Sequence, residues 1–301
     1  MDVEFVQSGN PKGGAKPRVD LPASPIHYLL LVVYGQTASG EDLTPADLGK
    51  YRLKRFGEQF QGSDFDTIHE IANIRRGYPT NTGGGGSQNR IAVPIFMGYS
   101  QIPNIMDVGS KEEADLEIDF DAVLDTRFGG NSATYELYAV TAPGLAELYT
   151  LKLQEANVQF SGATRSNDSF SAKNIAEVYM QDPSGIVNSV QLKFDNSVVV
   201  DNLDDDVLQD LTNLNNRIET SGLATREVYS PSTDDIRETL NGNVTYSLEV
   251  SAGGTVEFTL LSTRFNEERT AQSISRAKRF RESRVQSFGS VEGLPSGAVA
   301  T

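Results

Sequence analysis

The 301-residue sequence contains no cysteine and no tryptophan, only two histidines, and no apolar run longer than the seven residues 28–34. Without cysteine there is no disulfide framework, no thiolate zinc site, no iron–sulfur cluster and no cysteine nucleophile. The histidines, His27 and His69, fall at the start of an apolar strand pattern and inside a short helical pattern. That spacing makes no imidazole metal site, and structural roles are expected for both. The clustered strand histidines of a cupin site are missing, and no GxxxxGK[ST], GxSxG or HExxH occurs. No apolar run approaches a membrane span, and the opening stretch lacks the basic start and apolar core of a signal peptide. A soluble protein not exported by that route is expected. Positive charge is scarce: 26 Lys and Arg face 41 Asp and Glu, a net −15. Wrapping nucleic acid in a broad basic surface is thereby excluded, and no sequence-specific nucleic-acid partner is expected.

What is present is a globular, turn-rich composition, with 38% hydrophobic residues, 22% charged residues, 27 Gly and 12 Pro. The length suits about two domains, each able to bury a core. Short β-type runs broken by Gly, Asn, Asp, Pro and Ser dominate from residue 25 onward, the pattern of an all-β protein. Strands are predicted over 26–34, 50–56, 90–97, 114–122, 134–140, 148–160, 189–200, 244–250 and 255–261, with a short one over 227–229. In 114–122, Leu116, Ile118 and Phe120 alternate with Glu117, Asp119 and Asp121, so one face is apolar and the other wet. Pro94 cannot donate to a ladder and places its strand at an edge or bulge. A phase change at 155–157 predicts a bulge or turn.

Sliding the second half over the first reveals a repeat. Residues 68–74 match 208–214 in apolar, acidic and Asn positions at a shift of 140. Each follows a strand ending in a polar turn: Tyr51-Arg52-Leu53-Lys54 before the first, Val190-Gln191-Leu192-Lys193 before the second. Farther on, Leu116, Ile118 and Phe120 pair with Tyr246, Leu248 and Val250, and Thr134-Tyr135-Glu136-Leu137 with Thr255-Val256-Glu257-Phe258. The order is kept, which argues for a tandem duplication with a hinge at Thr141-Ala142-Pro143-Gly144. A β-unit of about 115 residues has room for the eight strands of a jelly roll. The expected fold class is therefore all-β: two tandem eight-stranded jelly rolls with short inserted helices and a C-terminal helix. The expected layout is an N-terminal arm over 1–24, a first jelly roll over 25–143, a second over 144–263, and a basic helix and tail over 264–301.

With its opening strand Ile26-His27-Tyr28-Leu29-Leu30-Leu31-Val32-Val33-Tyr34 and the paired strand–turn–helix passages 51–74 and 190–214, the chain resembles the double jelly-roll major capsid proteins of tailless phages with an internal membrane. That lineage includes tectiviruses, corticoviruses and finnlakeviruses, with adenovirus hexon as a distant cousin. The resemblance covers residues 25–263 and is one of layout. It implies a non-enzymatic structural protein of the virion, assembled in the host cytoplasm. Its homotrimers would present six jelly rolls as a pseudo-hexagonal tile of an icosahedral shell. Implied partners are the protein itself, neighbouring capsomers, minor capsid or vertex proteins, and anionic lipid of the internal membrane; no cofactor is implied. The loop over 80–88, with glycines at 83–86, reads as solvated, and the arm, with Lys12, Lys16 and Arg18, as a lace onto a neighbouring subunit.

Two charged groupings stand out. Asp201, Asp204, Asp205 and Asp206 precede a helix; they suit capping and the helix dipole better than Ca²⁺, for which no EF-hand spacing exists. Over residues 264–288, cations Arg264, Arg269, Arg276, Lys278, Arg279, Arg281 and Arg284 outnumber Glu267, Glu268 and Glu282 by four, leaving −19 on the rest. A helix over 267–288 with a thin stripe of Ala271, Ile274, Ala277 and Phe280 could face anionic lipid or packaged nucleic acid inside a shell, or dock on the acidic body of its own trimer. The alternative function is a tandem β-sandwich that binds carbohydrate or a receptor as a spike or lectin. A glycan-cleaving enzyme would need a carboxylate pair. The missing tryptophan weighs against both carbohydrate readings.

Overall fold

The computed structural model describes residues 2–39, 41–76, 88–97, 105–142, 147, 149–170, 175–194, 197–216, 223–230, 244–265 and 275. The first half runs β1 (Asp2–Gly9), β2 (Arg18–Asp20), β3 (Pro25–Gln36), a 3-10 turn (Pro45–Leu48), β4 (Lys50–Arg55), β5 (Glu58–Asp64), α1 (Phe65–Arg76), β6 (Gln88–Phe96), β7 (Met106–Asp107), β8 (Ala114–Asp119), α2 (Val123–Phe128) and β9 (Ala133–Thr141). The second runs β10 (Tyr149–Phe160), β11 (Thr164–Phe170), β12 (Ile175–Gln181), β13 (Val187–Phe194), β14 (Ser197–Asp204), α3 (Asp205–Asn216), β15 (Thr225–Tyr229), β16 (Val244–Val250) and β17 (Gly254–Phe265).

These strands make four antiparallel sheets, two per half. The first half has β1-β9-β3-β6, with β7 added to β3, and β2-β8-β4-β5; the second has β10-β17-β12-β15 and β11-β16-β13-β14. Setting β7 aside and counting strands from the start of each half, both give the orders 1-8-3-6 and 2-7-4-5. This is a jelly roll made twice with one topology. All four self-similar passages fall on equivalent elements: β4 with β13, α1 with α3, β8 with β16 and β9 with β17.

Side-chain alternation fills each core. In β8, Leu116 and Ile118 are buried, as is Phe120 just after it, while Glu117 and Asp119 lie on the outer face. Leu29, Leu31 and Val33 of β3 project inward toward them, and the central position of β3 between β9 and β6 accounts for its nearly continuous apolar run. In the second roll Phe170, Tyr246 and Phe258 cluster with ring centroids 4.8–5.1 Å apart. Gly49, ending the 3-10 turn at φ 80°, cannot be replaced cheaply, because a Cβ there would meet the Asp119 carbonyl at 2.2 Å.

Several expectations need correction. Residues 2–9 are not an arm but β1, paired with β9; β2 likewise pairs with β8. Lys16 and Arg18 meet Asp119 and Asp115 of their own chain at 2.7 and 2.9 Å. No bulge occurs at 155–157, since β10 and β17 pair without interruption from Tyr149 to Phe160. The run 189–200 is parts of two strands, β13 and β14, and β5, β11 and β12 had no forecast. Polarity explains two of the three: β5 reads EQFQGSD, and β11 reads TRSNDSF and buries only its last side chain, whereas β12, IAEVYMQ, is buried throughout. Pro94 does sit on an edge strand, β6. The loop over 80–88 lies outside the described residues except for Gln88. Of the predicted C-terminal helix only Ser275 is described. Among the described residues no helix is long and apolar enough to cross a membrane.

Candidate assembly interface

The two rolls meet through α1 and β5 of the first and the outward face of β10-β17-β12-β15 of the second. Leu153, Tyr179 and Leu261, which point away from the second core, join the hydrophobic cluster of the first roll. Around them the contact is polar and buried. Thr67 Oγ1 donates to Gln181 Oε1 at 2.9 Å, and Glu70 accepts from the Thr225 backbone N–H at 2.9 Å and from its hydroxyl. The Asp64 N–H donates to Glu155 at 3.2 Å.

Arg75, at the last turn of α1, is the centre of this contact. Its side chain is 11% exposed and lies 3.4 Å from Glu177 and 3.3 Å from Glu227, which are 5% and 4% exposed. It also donates to Tyr179 Oη and to Ser230 Oγ, the latter at 2.6 Å, and Tyr179 in turn donates to Glu177 at 2.8 Å. Burial by itself would weaken the hold of Arg75 on its proton; Tyr179, Glu177 and Glu227 outweigh it, and its pKa is raised. Burial pushes Glu227 up despite Arg75 beside it. One cation thus lies between two carboxylates from two strands of the other roll, an arrangement that tolerates poorly the loss of that cation.

A second clamp holds the connection between the rolls. Arg55 pairs with Glu113 and Glu147, both at 2.8 Å, and donates to the Asp107 carbonyl at 2.6 Å; Glu147 also accepts from the Asp107 N–H at 2.9 Å. Residue 147 lies just before β10, so this pair ties the start of the second roll to the first. Along the seam runs a groove of about 520 Å³ whose walls include Lys50, Gln59, Leu153 and Glu155.

Carboxylates crowd the α1 side of the seam. Burial, with the charges of Glu70, Asp64 and Asp47, pushes Asp66 up to about 6. Burial also raises Glu155 and Glu257. The outer face of β2-β8-β4-β5 is instead a ladder of opposite charges, with Lys16–Asp119, Arg18–Asp115, Arg52–Glu117 and Lys54–Glu117 all within 2.9 Å. Exposed cross-strand pairs of this kind contribute little each, but they turn the wet face of β8 into a matched surface.

The residues singled out from the sequence divide into three groups. Asp204 caps α3, accepting from the Val207 N–H at 2.8 Å; Asp205 pairs with Arg226 at 3.1 Å, and Asp201 accepts from Gln191 at 2.8 Å. His27 and His69 are both buried, the first edge-on to Tyr28 in β3, the second within α1. Arg269, Arg276, Lys278, Arg279, Arg281 and Arg284 lie outside the described residues. Sequence reading missed Arg75, Arg55 and Glu147. The available signal was the pair Arg75-Arg76 at the end of a helix in the duplicated unit, where the counterpart of Arg75 at the shift of 140 is Asn215.

No protein-family model matches the sequence, and no curated protein matches it. Solved structures do. The major capsid protein P2 of bacteriophage PM2 superposes with a TM-score of 0.64 at 11% identity, covering 89% of this chain and 99% of that one. The PBCV-1 virus capsid gives 0.64 at 12% identity, with 87% and 92% covered. A chain of Sulfolobus turreted icosahedral virus gives 0.63 at 9% identity, with 95% and 98% covered. The chain has the double jelly-roll fold of these proteins over nearly its whole length.

Proposed function

We propose that the protein is a shell subunit: a major capsid protein with no catalytic role. Its homotrimers would tile an icosahedral virion with an internal membrane. The observation that carries this reading is the repetition of one eight-strand topology in both halves of the chain, in a fold whose solved examples include the PM2 and PBCV-1 capsid structures. Twin rolls locked at a fixed angle by α1, Arg75 and Arg55 form a rigid double block. Three such blocks offer six similar edges, and repeated heterologous contacts that close make a ring rather than a filament. The ion-paired outer sheet and the absent catalytic motifs fit a structural role.

Within this reading the basic tail, Arg269, Arg276, Lys278, Arg279, Arg281 and Arg284, faces the lumen and touches anionic lipid of the membrane. Other contacts are with neighbouring capsomers and with minor or vertex proteins, after assembly in the host cytoplasm. Cryo-electron microscopy of the purified full-length chain tests the proposal. Pseudo-hexagonal discs with true threefold symmetry are expected, and in source particles this chain should dominate the protein mass. A monomer that persists at high concentration overturns it.

A further inference from the structure

The two halves of the chain use equivalent elements in unequal surroundings, and the difference identifies where a second copy binds. Placing β9 on β17 with Thr134 at Thr255, and following the strand pairings outward, sets Val3 at Leu153, Phe5 at Glu155, Leu30 at Tyr179, and Val32 at Gln181. The neighbouring edge strand puts Ala92 at Thr225 and Pro94 at Glu227. The alignment has an internal check: β3 and β12 both shift register at the same place, between Ile26 and Tyr28 and between Ile175 and Glu177. On the helices, Thr67, Ile71 and Ile74 correspond to Val207, Leu211 and Leu214 at the shift of 140.

In the first roll the helix side of this pair is occupied. Thr67, Ile71 and Ile74 are at most 2% exposed; Thr67 bonds across the seam, and Ile71 and Ile74 belong to the cluster that Leu153, Tyr179 and Leu261 join. Their counterparts on α3 are bare: Val207, Leu211 and Leu214 are 40%, 37% and 74% exposed and, spaced four and three residues apart, share one face. The receiving side is inverted in the same way. Leu153 is 2% exposed against the first roll, whereas its counterpart Val3 is 68% exposed and Phe5 beside it 56%. Val198, on the edge strand β14, stands where Gln59 lines the seam groove. Six of the seven large apolar side chains exposed among the described residues therefore lie at positions equivalent to the intrachain seam.

The chemistry changes on both sides together. Within the chain, Thr67 bonds Gln181 and Glu70 bonds Thr225. At the equivalent places Val207 would meet Val32, and the receiving residues Glu177, Tyr179, Thr225 and Glu227 become Tyr28, Leu30, Ala92 and Pro94. Val32 and Pro94 are already out of solvent in the single chain, so the burial gained falls on Val3, Phe5, Tyr28 and Leu30. The intrachain contact surrounds Leu153, Tyr179 and Leu261 with buried polar pairs, whereas the equivalent surfaces are mainly apolar, Asp210 and Asn215 standing where Glu70 and Arg75 do; matched surfaces of this kind select a partner.

We infer that α3 and β14 of one copy dock on the outward face of β1-β9-β3-β6 of the next, reproducing between copies the seam that α1 and β5 make within one, with an apolar contact in place of the Arg75 network. This deepens the shell-subunit reading and rests on it. The contact is heterologous: each copy supplies one α3 face and one β1 face.

Sedimentation of the full-length chain and two variants tests it. The wild type should run as a trimer. Leu211→Asp/Leu214→Asp and Val3→Asp/Phe5→Asp should each run as monomers that keep the wild-type far-ultraviolet circular dichroism, since these side chains are exposed in the single chain. Mixed, the two variants should form one-to-one dimers, because one intact face of each kind remains. A trimer retained by either variant, or self-association of the β1 variant through its intact α3, overturns the inference while leaving the shell reading standing. A monomeric wild type overturns the shell reading itself. Should the charged variants fold poorly, the absence of native cysteine permits a second measurement. A bifunctional maleimide should join Val3→Cys/Leu214→Cys into covalent trimers and leave either single cysteine variant uncoupled. Coupling of a single variant to itself is the contrary result.

Discussion

Replacing Arg75 with methionine, which keeps much of the apolar stem and removes the charge, is the most informative perturbation of the seam. Two buried carboxylates, Glu177 and Glu227, then lose the cation 3.4 and 3.3 Å away, and Ser230 loses a donor at 2.6 Å. Breaking a buried ion pair from one side costs about 3–5 kcal/mol, because the remaining charge has neither water nor a partner. Three hydrogen bonds from the charged guanidinium, at about 1.5–3 kcal/mol each, reach or exceed the top of that range. The cost should also depend on pH. Burial already raises Glu227 in the wild type, and without Arg75 the neighbouring Glu177 charge pushes it up further. The native state then binds protons that the unfolded chain releases, so stability lost at pH 8 returns as the pH falls toward 5. Urea unfolding at pH 8 and pH 5, with an unchanged slope, measures both effects. The triple variant Arg75→Met/Glu177→Gln/Glu227→Gln should recover most of the loss at pH 8 and show little pH dependence. A loss below about 1 kcal/mol at pH 8, or an equal loss at both pH values, would refute the assignment of this arginine as the neutralising centre.

Other expectations concern charge, packing and the tail. Asp66, raised to about 6, contributes stability that is fully present below its unfolded value near 4 and lost as the pH rises through 6. Asp66→Asn should therefore stabilise the protein at pH 8 by about 1–2 kcal/mol, after allowing for the solvent that reaches the group, and not at pH 4; thermal melts at both values decide it. Phe258→Ala, which empties the centre of the Phe170–Tyr246–Phe258 cluster, should cost about 3–5 kcal/mol in denaturant titrations. If the tail touches lipid, changing Arg276, Lys278 and Arg279 to Gln should weaken flotation with phosphatidylserine vesicles by about 100-fold and leave neutral vesicles unaffected, at about 1 kcal/mol for each charge. Equal binding of the variant and wild type would remove the tail from the membrane.

Much of the architecture was legible in the sequence because it is written in local alternation. Leu116, Ile118 and Phe120 against Glu117 and Asp119 settle which face of β8 is core, and the same rhythm in β16 exposed the repeat. Segments without that rhythm were lost. β11 is polar on both faces, and β5 reads EQFQGSD, with too little apolar pattern to mark a strand. β1 alternates, but its Val3 and Phe5 face outward, so a pattern that elsewhere means core here marks an open surface.

The amino-acid order alone determined the β class, the duplication and the equivalence of α1 with α3, since these follow from backbone periodicity and from spacing along the chain. Only the folded chain decided which side chains meet across the seam. Arg75 finds Glu177 and Glu227 more than a hundred residues away, and helices of nearly the same pattern are buried in one half and bare in the other. Periodicity fixes which way a side chain points relative to its own sheet, while its partner depends on how distant sheets stack, and that information has no local signature.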